Sequence, residues 1–217
     1  MASPHVYLIP GLGADHRVFE TLHLQGFETT VIYWETPLTD ESITDYVRRL
    51  SVQVKHDEIV FIGYSFGGII GAELTKLFPA SRLVLVSSIA TRKELPWWLR
   101  LGGAIRLNRL LSGKYMKRRN AFARWFFSLQ TDYERKLFDD ILRDSDPVFL
   151  KWAVNIILNW KGNGSHRLHH IHGKKDRLLP LRFTSADIVV EGGGHFMIVS
   201  DGKQVSEILL TILKTLA

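Results

Sequence analysis

The sequence contains no cysteine among its 217 residues. This absence excludes disulfide bonds, thiolate metal ligands and a cysteine nucleophile. The chain also has no run of about 18 uncharged apolar residues, the length that a membrane-spanning helix needs. Its first residues, MASPHVYLIPG, lack the basic region and the long apolar stretch of a secretory signal. We therefore expect a cytoplasmic protein that makes no stable membrane insertion.

The excess of basic residues is confined to one segment. Residues 91–165 carry a net charge of +8, whereas the rest of the chain carries −2. Such asymmetry fits an acidic substrate, a membrane surface or nucleic acid, and it also fits a merely solvated helical surface. The stretch KYMKRRNAFARWFF interleaves basic and aromatic residues, but no nucleic-acid-binding motif accompanies it. We expect a small-molecule substrate, with acidic compounds among the candidates, and no nucleic-acid partner; the oligomeric state is left open.

Short apolar runs alternate with helical patterns along most of the chain. The runs lack in/out alternation, which is typical of parallel strands that are covered by helices on both faces. The pattern predicts an α/β fold of about six mostly parallel strands flanked by helices, with its active surface at the carboxyl ends of the strands. The predicted strands are HVYLIPG, TTVIYW, DEIVFIGYS, RLVLVSS, RLHHIHG and ADIVVEGG, and the predicted helices cover residues 15–24, 40–54, 66–78 and 204–216.

The segment of residues 91–164 interrupts this alternation. It contains five of the six tryptophans and several stretches with helical spacing, such as LRLGGAIRLNRLL. We predict a helical cap or lid insertion there, while residues 1–90 and 165–217 form the α/β core. Within the cap, Trp97 and Trp125 are candidates to line an apolar substrate pocket, although tryptophans more often pack the core of a small domain.

One serine stands between glycines at the end of an apolar run, in FIGYSFGGII. Gly63-Tyr64-Ser65-Phe66-Gly67 matches G-x-S-x-G, and it lies where a predicted strand meets a predicted helix. A nucleophile elbow has this context, because a sharp turn exposes the serine hydroxyl at the top of the sheet. The pattern alone is weak, since small residues are common in turns, but the flanking strand and helix favour Ser65 as a nucleophile. Tyr64 is a candidate for substrate contact beside it.

A serine nucleophile needs a base and an orienting carboxylate. Asp176 follows the strand RLHHIHG, and His195 follows the next strand, in VVEGGGHFM. Asp176 is selected largely by elimination, because RLVLVSS is followed by no carboxylate before Glu94; a surface or capping role is its alternative. For His195 the alternative is an ordinary loop histidine.

The loop after the first strand, IPGLGADHR, is the second feature of an acyl-transfer site. Its glycines allow the backbone to curl, so the amide of Leu12 is a candidate donor to an oxyanion. The other candidate donor is the amide of Phe66, which follows Ser65 at the start of the predicted helix. His16 stands where the third glycine of a dinucleotide-binding motif would be, which disfavours that motif and makes His16 a candidate pocket residue. The histidines of RLHHIHG alternate between the faces of a strand and cannot all bind one metal, so we predict no metal site.

With these motifs the chain resembles the α/β-hydrolase superfamily. The matching pieces are IPGLGADHRVF, GYSFGG, HGKKDRLLP and GGGHFM. The resemblance implies a triad of Ser65, Asp176 and His195, oxyanion donors at Leu12 and Phe66, and a cap at residues 91–164. The chain departs from the family pattern in two ways. Pro10 replaces the histidine that many members have in the oxyanion loop. In addition, only 19 positions separate Asp176 from His195, and this short spacing predicts a loop in place of a helix around LRFTS.

These features predict a serine hydrolase that cleaves a small ester, thioester or related acyl substrate without a cofactor. Two other functions use the same fold. The site can serve a C–C bond hydrolase or a lyase, or it can belong to a non-catalytic protein that binds a small molecule. Catalytic turnover against stoichiometric binding separates these alternatives.

Overall fold

The structure, a computed structural model, describes residues 3–104, 121–162 and 168–216. Six parallel strands form one sheet within this part of the chain, and all six coincide with predicted runs. Their bounds are β1 His5–Ile9, β2 Thr29–Val31, β3 Ile59–Tyr64, β4 Arg82–Val86, β5 Leu168–Gly173 and β6 Ile188–Val190.

The strand order is β2-β1-β3-β4-β5-β6. The chain leaves β1 toward one edge to form β2 and then crosses back to β3 on the other side of β1. The connections after β1 and β3 therefore diverge, which opens a crevice at the carboxyl ends of these two strands. The predicted oxyanion loop follows β1 and the predicted nucleophile follows β3, so both lie at this crevice.

The continuous hydrophobicity of the strands is explained by burial on both faces of the sheet. In β1, Val6 and Leu8 belong to a core that includes the C-terminal helix, whereas Tyr7 and Ile9 belong to a core on the opposite face. Eight α-helices are present in the described residues. They are α1 Ile43–Leu50, α2 Phe66–Leu77, α3 Trp97–Ala104, α4 Ala121–Phe126, α5 Asp132–Asp144, α6 Pro147–Asn159, α7 Met197–Ser200 and α8 Gly202–Leu216.

Two of the predicted helices, residues 66–78 and 204–216, are confirmed as α2 and α8. The prediction for residues 40–54 holds in part, since α1 begins at Ile43 and a 3₁₀ turn, Ser51–Gln53, follows it. The helix predicted for residues 15–24 is wrong, because only the 3₁₀ turn His16–Phe19 forms. Beyond it, the Thr21 hydroxyl donates to the Ile198 carbonyl and the His23 amide donates to the Ser206 hydroxyl, so contacts with α7 and α8 replace helical hydrogen bonds.

Helices α3 to α6 lie between β4 and β5, in the segment predicted to be a cap. They are not separate from the core, because Phe149 of α6 packs edge-on against Phe66 of α2. The boundaries of the cap stay a prediction, and the basic stretch at residues 114–120 lies outside the described residues. In the part of the chain that the structure covers, no helix has the length and hydrophobicity to cross a membrane.

We expect Gly67→Ala to destabilise the fold by about 3 kcal/mol, because overpacking against a rigid backbone is costly. A Cβ at Gly67 would lie 2.1 Å from the carbonyl oxygen of Ile9, at the closest approach of α2 to β1. Urea unfolding measures the change. The matched control is Gly102→Ala in α3, where a Cβ has open space; it should be neutral or stabilise by up to about 1 kcal/mol. Equal effects of the two substitutions would contradict this account of the packing.

Candidate active site

Ser65 occupies the turn between β3 and α2 with an unusual backbone. Its φ is 52° and its ψ is −118°, a conformation that L-residues rarely adopt and that costs on the order of 1–3 kcal/mol. Its neighbours hold it there: the Ser65 amide donates to the Val86 carbonyl at 2.9 Å, and the Ser65 carbonyl accepts from the Ser88 hydroxyl at 2.6 Å. A Cβ at Gly63 would lie 2.5 Å from the Cα of Gly68, so the turn also requires this glycine.

The structure brings Ser65, His195 and Asp176 into one hydrogen-bonded chain. The Ser65 Oγ lies 2.9 Å from His195 Nε2, and His195 Nδ1 lies 2.8 Å from Asp176 Oδ2. An ionised carboxylate can only accept, so Nδ1 carries the imidazole proton and Nε2 is free to accept from the serine hydroxyl. His195 and Asp176 are buried, whereas Ser65 is half-buried.

The Asp176 carboxylate is ionised at neutral pH. Burial by itself would raise the pKa of Asp176, but the neighbouring His195, together with hydrogen bonds from His172 and His195, holds that pKa below its usual range. The Leu179 amide also donates to Asp176 Oδ1 at 2.8 Å. Both carboxylate oxygens are therefore occupied by protein donors.

The short spacing between Asp176 and His195 is accommodated by direct contact between their loops. Instead of a helix, the intervening chain forms the 3₁₀ turn Leu181–Phe183 and passes directly into β6, as predicted for LRFTS. The Lys175 amide donates to the Gly193 carbonyl at 2.8 Å. This bond links the acid loop, which we define as residues 174–187 between β5 and β6, to the glycine-rich loop that carries His195.

Leu12 and Phe66 line the same cavity as Ser65. Within the described residues, neither backbone amide donates to a protein acceptor. Phe66 is the first residue of α2, a helix of twelve residues, so its N–H lies at the positive end of the helix dipole. These two N–H groups are available to a negatively charged ligand atom.

Two cavities adjoin Ser65, and residues Leu12, Ser65 and Phe127 line both. The larger has a volume of about 220 Å³ and the smaller of about 140 Å³. No charged side chain is among the described residues around either cavity. Other residues of the larger cavity include Ile69, Leu99, Val154, Ile157 and Leu178, and those of the smaller include Tyr64, Phe138, Leu142, Leu150 and Phe196.

Of the four candidate substrate residues, only Tyr64 lies at these cavities. Burial, and next the charge of Asp176, raise the pKa of the Tyr64 phenol well above its usual value, so the phenol is neutral. The side chain of His16 is 56% exposed beside Asp15, and it lines neither cavity. Trp97 and Trp125 are 58% and 54% exposed and also line neither.

Trp125 instead lines an open groove of about 730 Å³, whose described lining includes four cationic residues as well as Asp176. Arg177 stacks over its indole ring, with 4.7 Å between the guanidinium carbon and the ring centroid. The groove is separate from the two cavities at Ser65. Its cations are Lys174, Lys175, Arg177 and Arg182.

Phe127 lies at the site although no sequence motif points to it. Its ring meets the His195 imidazole edge-on, with ring centroids 5.3 Å apart, and it lines both cavities. The only sequence signal was its place in the aromatic stretch ARWFF, where hydrophobicity alone does not indicate which ring turns inward.

The histidines of β5 also take positions that the sequence did not reveal. His170 and His172 share one face of the strand, are fully buried and are hydrogen-bonded to each other at 3.1 Å. The described residues contain no group of three or more histidine, aspartate or glutamate side chains that could hold a metal ion.

A parallel sheet with crossover helices and a strained serine turn at its switch point defines an α/β enzyme fold of the hydrolase type. The sequence matches the Alpha/beta hydrolase family over residues 5–208, and the chain belongs to that family. A search of curated proteins found no match.

Solved structures of the same fold include known hydrolases. The esterase EaEST from Exiguobacterium antarcticum aligns with a TM-score of 0.71 at 17% identity, over 99% of this chain and 93% of that one. The bromoperoxidase from Bacillus anthracis aligns with a TM-score of 0.70 at 16% identity, over 98% and 92%. A lipase-esterase related protein from Clostridium acetobutylicum gives 0.68 at 18% identity, over 95% and 93%. At these identities the likeness shows the fold, and together with the family it identifies the chain as a hydrolase.

We expect Ser65→Gly to be more stable than Ser65→Ala by about 1 kcal/mol, because glycine adopts a positive φ without steric cost. Both substitutions remove the hydroxyl, so the comparison isolates the backbone strain at φ 52°. Urea unfolding of the two variants at one pH is the measurement. If Ser65→Ala were equally stable or more stable, the turn would not be strained in solution.

Proposed function

We propose that this protein is a serine hydrolase that cleaves an uncharged ester, thioester or related acyl bond with apolar groups on both sides. The observation that carries this proposal is the chain Ser65–His195–Asp176, with distances of 2.9 and 2.8 Å, at the wall of an apolar cavity. Nucleophile, base and orienting acid are all within hydrogen-bonding reach, which is the geometry that acyl transfer requires.

In the proposed reaction, the Ser65 oxygen attacks the carbonyl carbon while His195 Nε2 takes the hydroxyl proton. Asp176 holds the imidazole with Nδ1 protonated and stabilises the imidazolium that forms. His195 then gives the proton to the leaving alcohol or thiol, and an acyl group remains on Ser65. A water molecule, activated by His195, hydrolyses the acyl-enzyme and restores the serine.

The negative oxygen of the tetrahedral intermediate needs donors that are already in position. The free amides of Leu12 and Phe66, both at the cavity that contains Ser65, are suited to this role. The loop of Leu12 is supported locally, since the Ala14 amide donates to the Gly11 carbonyl at 3.0 Å. Neither donor depends on the histidine that Pro10 replaces, because both are main-chain groups.

The lining of the two cavities favours an uncharged substrate over the acidic compounds considered from the sequence. A carboxylate or phosphate in either cavity would lose its hydration and meet no cation among the described residues, whereas the four described cations of the open groove lie outside both cavities. The larger volume of about 220 Å³ exceeds the roughly 150 Å³ of a cavity that holds benzene. It suits an acyl chain of medium length.

The smaller cavity is assigned to the leaving alcohol. Tyr64 and Phe196 line it, and the Tyr64 ring lies 5.8 Å from the His195 ring, centroid to centroid. Because His195 must protonate the leaving group, that group has to lie on the side of the imidazole. The acyl chain then occupies the larger cavity.

Ser65→Ala should lower the rates of ester turnover and of covalent labelling by a small fluorophosphonate by at least about 10³-fold, because no other group replaces the nucleophile. Intact-protein mass spectrometry measures the labelling, and p-nitrophenyl butyrate hydrolysis measures the turnover. Ser51→Ala, at the 3₁₀ turn after α1, is the control and should keep both. A folded wild type that binds esters without turnover or labelling would exclude the hydrolase and favour the binding-protein alternative.

The assignment of the cavities predicts opposite effects of two substitutions on the cap helices. Val154→Phe on α6 fills the larger cavity and Leu142→Phe on α5 fills the smaller. Val154→Phe should lower kcat/KM for ethyl octanoate by roughly 10- to 200-fold and spare octyl acetate, whereas Leu142→Phe should do the reverse. Ethyl acetate serves as the short control for both. An exchange of the two patterns would mean that the acyl and alcohol groups are placed the other way round.

A further inference from the structure

The Asp176 carboxylate has a second imidazole partner besides His195. His172 Nε2 lies 3.3 Å from Asp176 Oδ2, the same oxygen that accepts from His195. His172 Nε2 also lies 2.8 Å from the carbonyl oxygen of Leu179. The His172 side chain is fully buried, so no water competes for these contacts.

The contacts determine which nitrogen of His172 carries the proton. A carbonyl and an ionised carboxylate can only accept, so the hydrogen is on Nε2 and is shared between Leu179 and Asp176. Nδ1 is then an acceptor and faces His170 Nε2 at 3.1 Å, which donates to it. Burial, and next the nearby His172, lower the pKa of His170 to about 4, so His170 stays neutral near pH 7.

His172, Leu179 and the Asp176 carboxylate form a closed ring of hydrogen bonds. The Leu179 amide donates to Asp176 Oδ1, while the Leu179 carbonyl accepts from His172. This ring of hydrogen bonds therefore joins β5 to Leu179 in the acid loop, and it leaves the Asp176 carboxylate little freedom to rotate. In this chain the loop leads through a single 3₁₀ turn into β6, so no α-helix after Asp176 anchors it.

We propose that His172 is a positioning residue for the acid of the triad: its Nε2–H, shared with the Leu179 carbonyl, holds the Asp176 carboxylate turned toward His195. This inference rests on the proposed serine-hydrolase function. His172 touches neither Ser65 nor the cavities, so it acts on the reaction only through Asp176. His170 contacts His172 but not Asp176, which makes it a suitable control for the loss of a buried imidazole.

The pH dependence follows from the groups around Asp176. Removing the His172 N–H removes one of the hydrogen bonds that lower the pKa of Asp176, so the acid limb of kcat/KM moves to higher pH. The other groups that face or flank the carboxylate are unchanged by the substitution. They are Tyr64 on β3, His195, and the exposed Lys175 and Arg177 of the acid loop.

The experiment compares His172→Phe and His172→Gln with wild type and with His170→Gln. His172→Phe should lower kcat and the rate of fluorophosphonate labelling by roughly 10- to 100-fold. This loss corresponds to the free energy of one hydrogen bond to a charged group. KM should stay within about twofold, since the cavities are untouched. His172→Gln keeps an N–H donor and should recover most of the rate, and His170→Gln should retain the wild-type acid limb.

A folded His172→Phe variant with wild-type kcat and acid limb would overturn the proposal. If His172→Phe does not fold, the rates of His172→Gln and of the shorter His172→Asn are compared instead. Equal rates for these two variants would also overturn the proposal. The low-field NMR signal of the His195 Nδ1 proton gives a readout without activity. If wild type neither labels nor turns over, a shift of this signal in the His172 variants still supports the positioning role while the proposed hydrolase function fails.

Discussion

The close approach of α2 to the sheet is the constraint on which the site depends. Glycines let the helix begin almost in contact with β1 and β3, and the intervening serine must then adopt a positive φ. The same geometry makes Ser65 the N-terminal cap of α2 and Phe66 the first residue of that helix. The strain at Ser65 and its position at the start of a helix thus have a single structural cause, and the burial of apolar side chains on both faces of the sheet compensates for the energetic cost of that strain.

A second dependence runs through the buried carboxylate. Asp176 would be costly to bury without partners, and its two oxygens are occupied by the Leu179 amide and by two imidazoles. These contacts come from β5, from the acid loop and from the loop after β6. The carboxylate therefore joins three neighbouring segments at the C-terminal edge of the sheet, so removing its charge would also disturb the packing there.

The sheet, the elbow and the loop around LRFTS could be predicted because local patterns encode them: apolar runs for buried strands, and glycines where backbones approach closely. The order of Ser65, Asp176 and His195 at strand ends also anticipated their proximity. The remaining features depend on long-range contacts, which the sequence patterns do not show. The helix expected at residues 15–24 is displaced by hydrogen bonds to α7 and α8, and Phe127 and His172 reach the site through packing that no local motif records.

None of the described residues around the two cavities has a charged side chain, and this has a consequence for the reaction proposed above. In that reaction an uncharged ester loses little hydration on entering the cavities, but its hydrolysis converts the acyl half into a carboxylic acid that ionises at neutral pH. The carboxylate would then lie in an apolar pocket of about 220 Å³ whose described lining offers no cation to pair with it. Under this proposal its release into water is favourable, so a pocket suited to the ester also rejects the acid product and limits product inhibition.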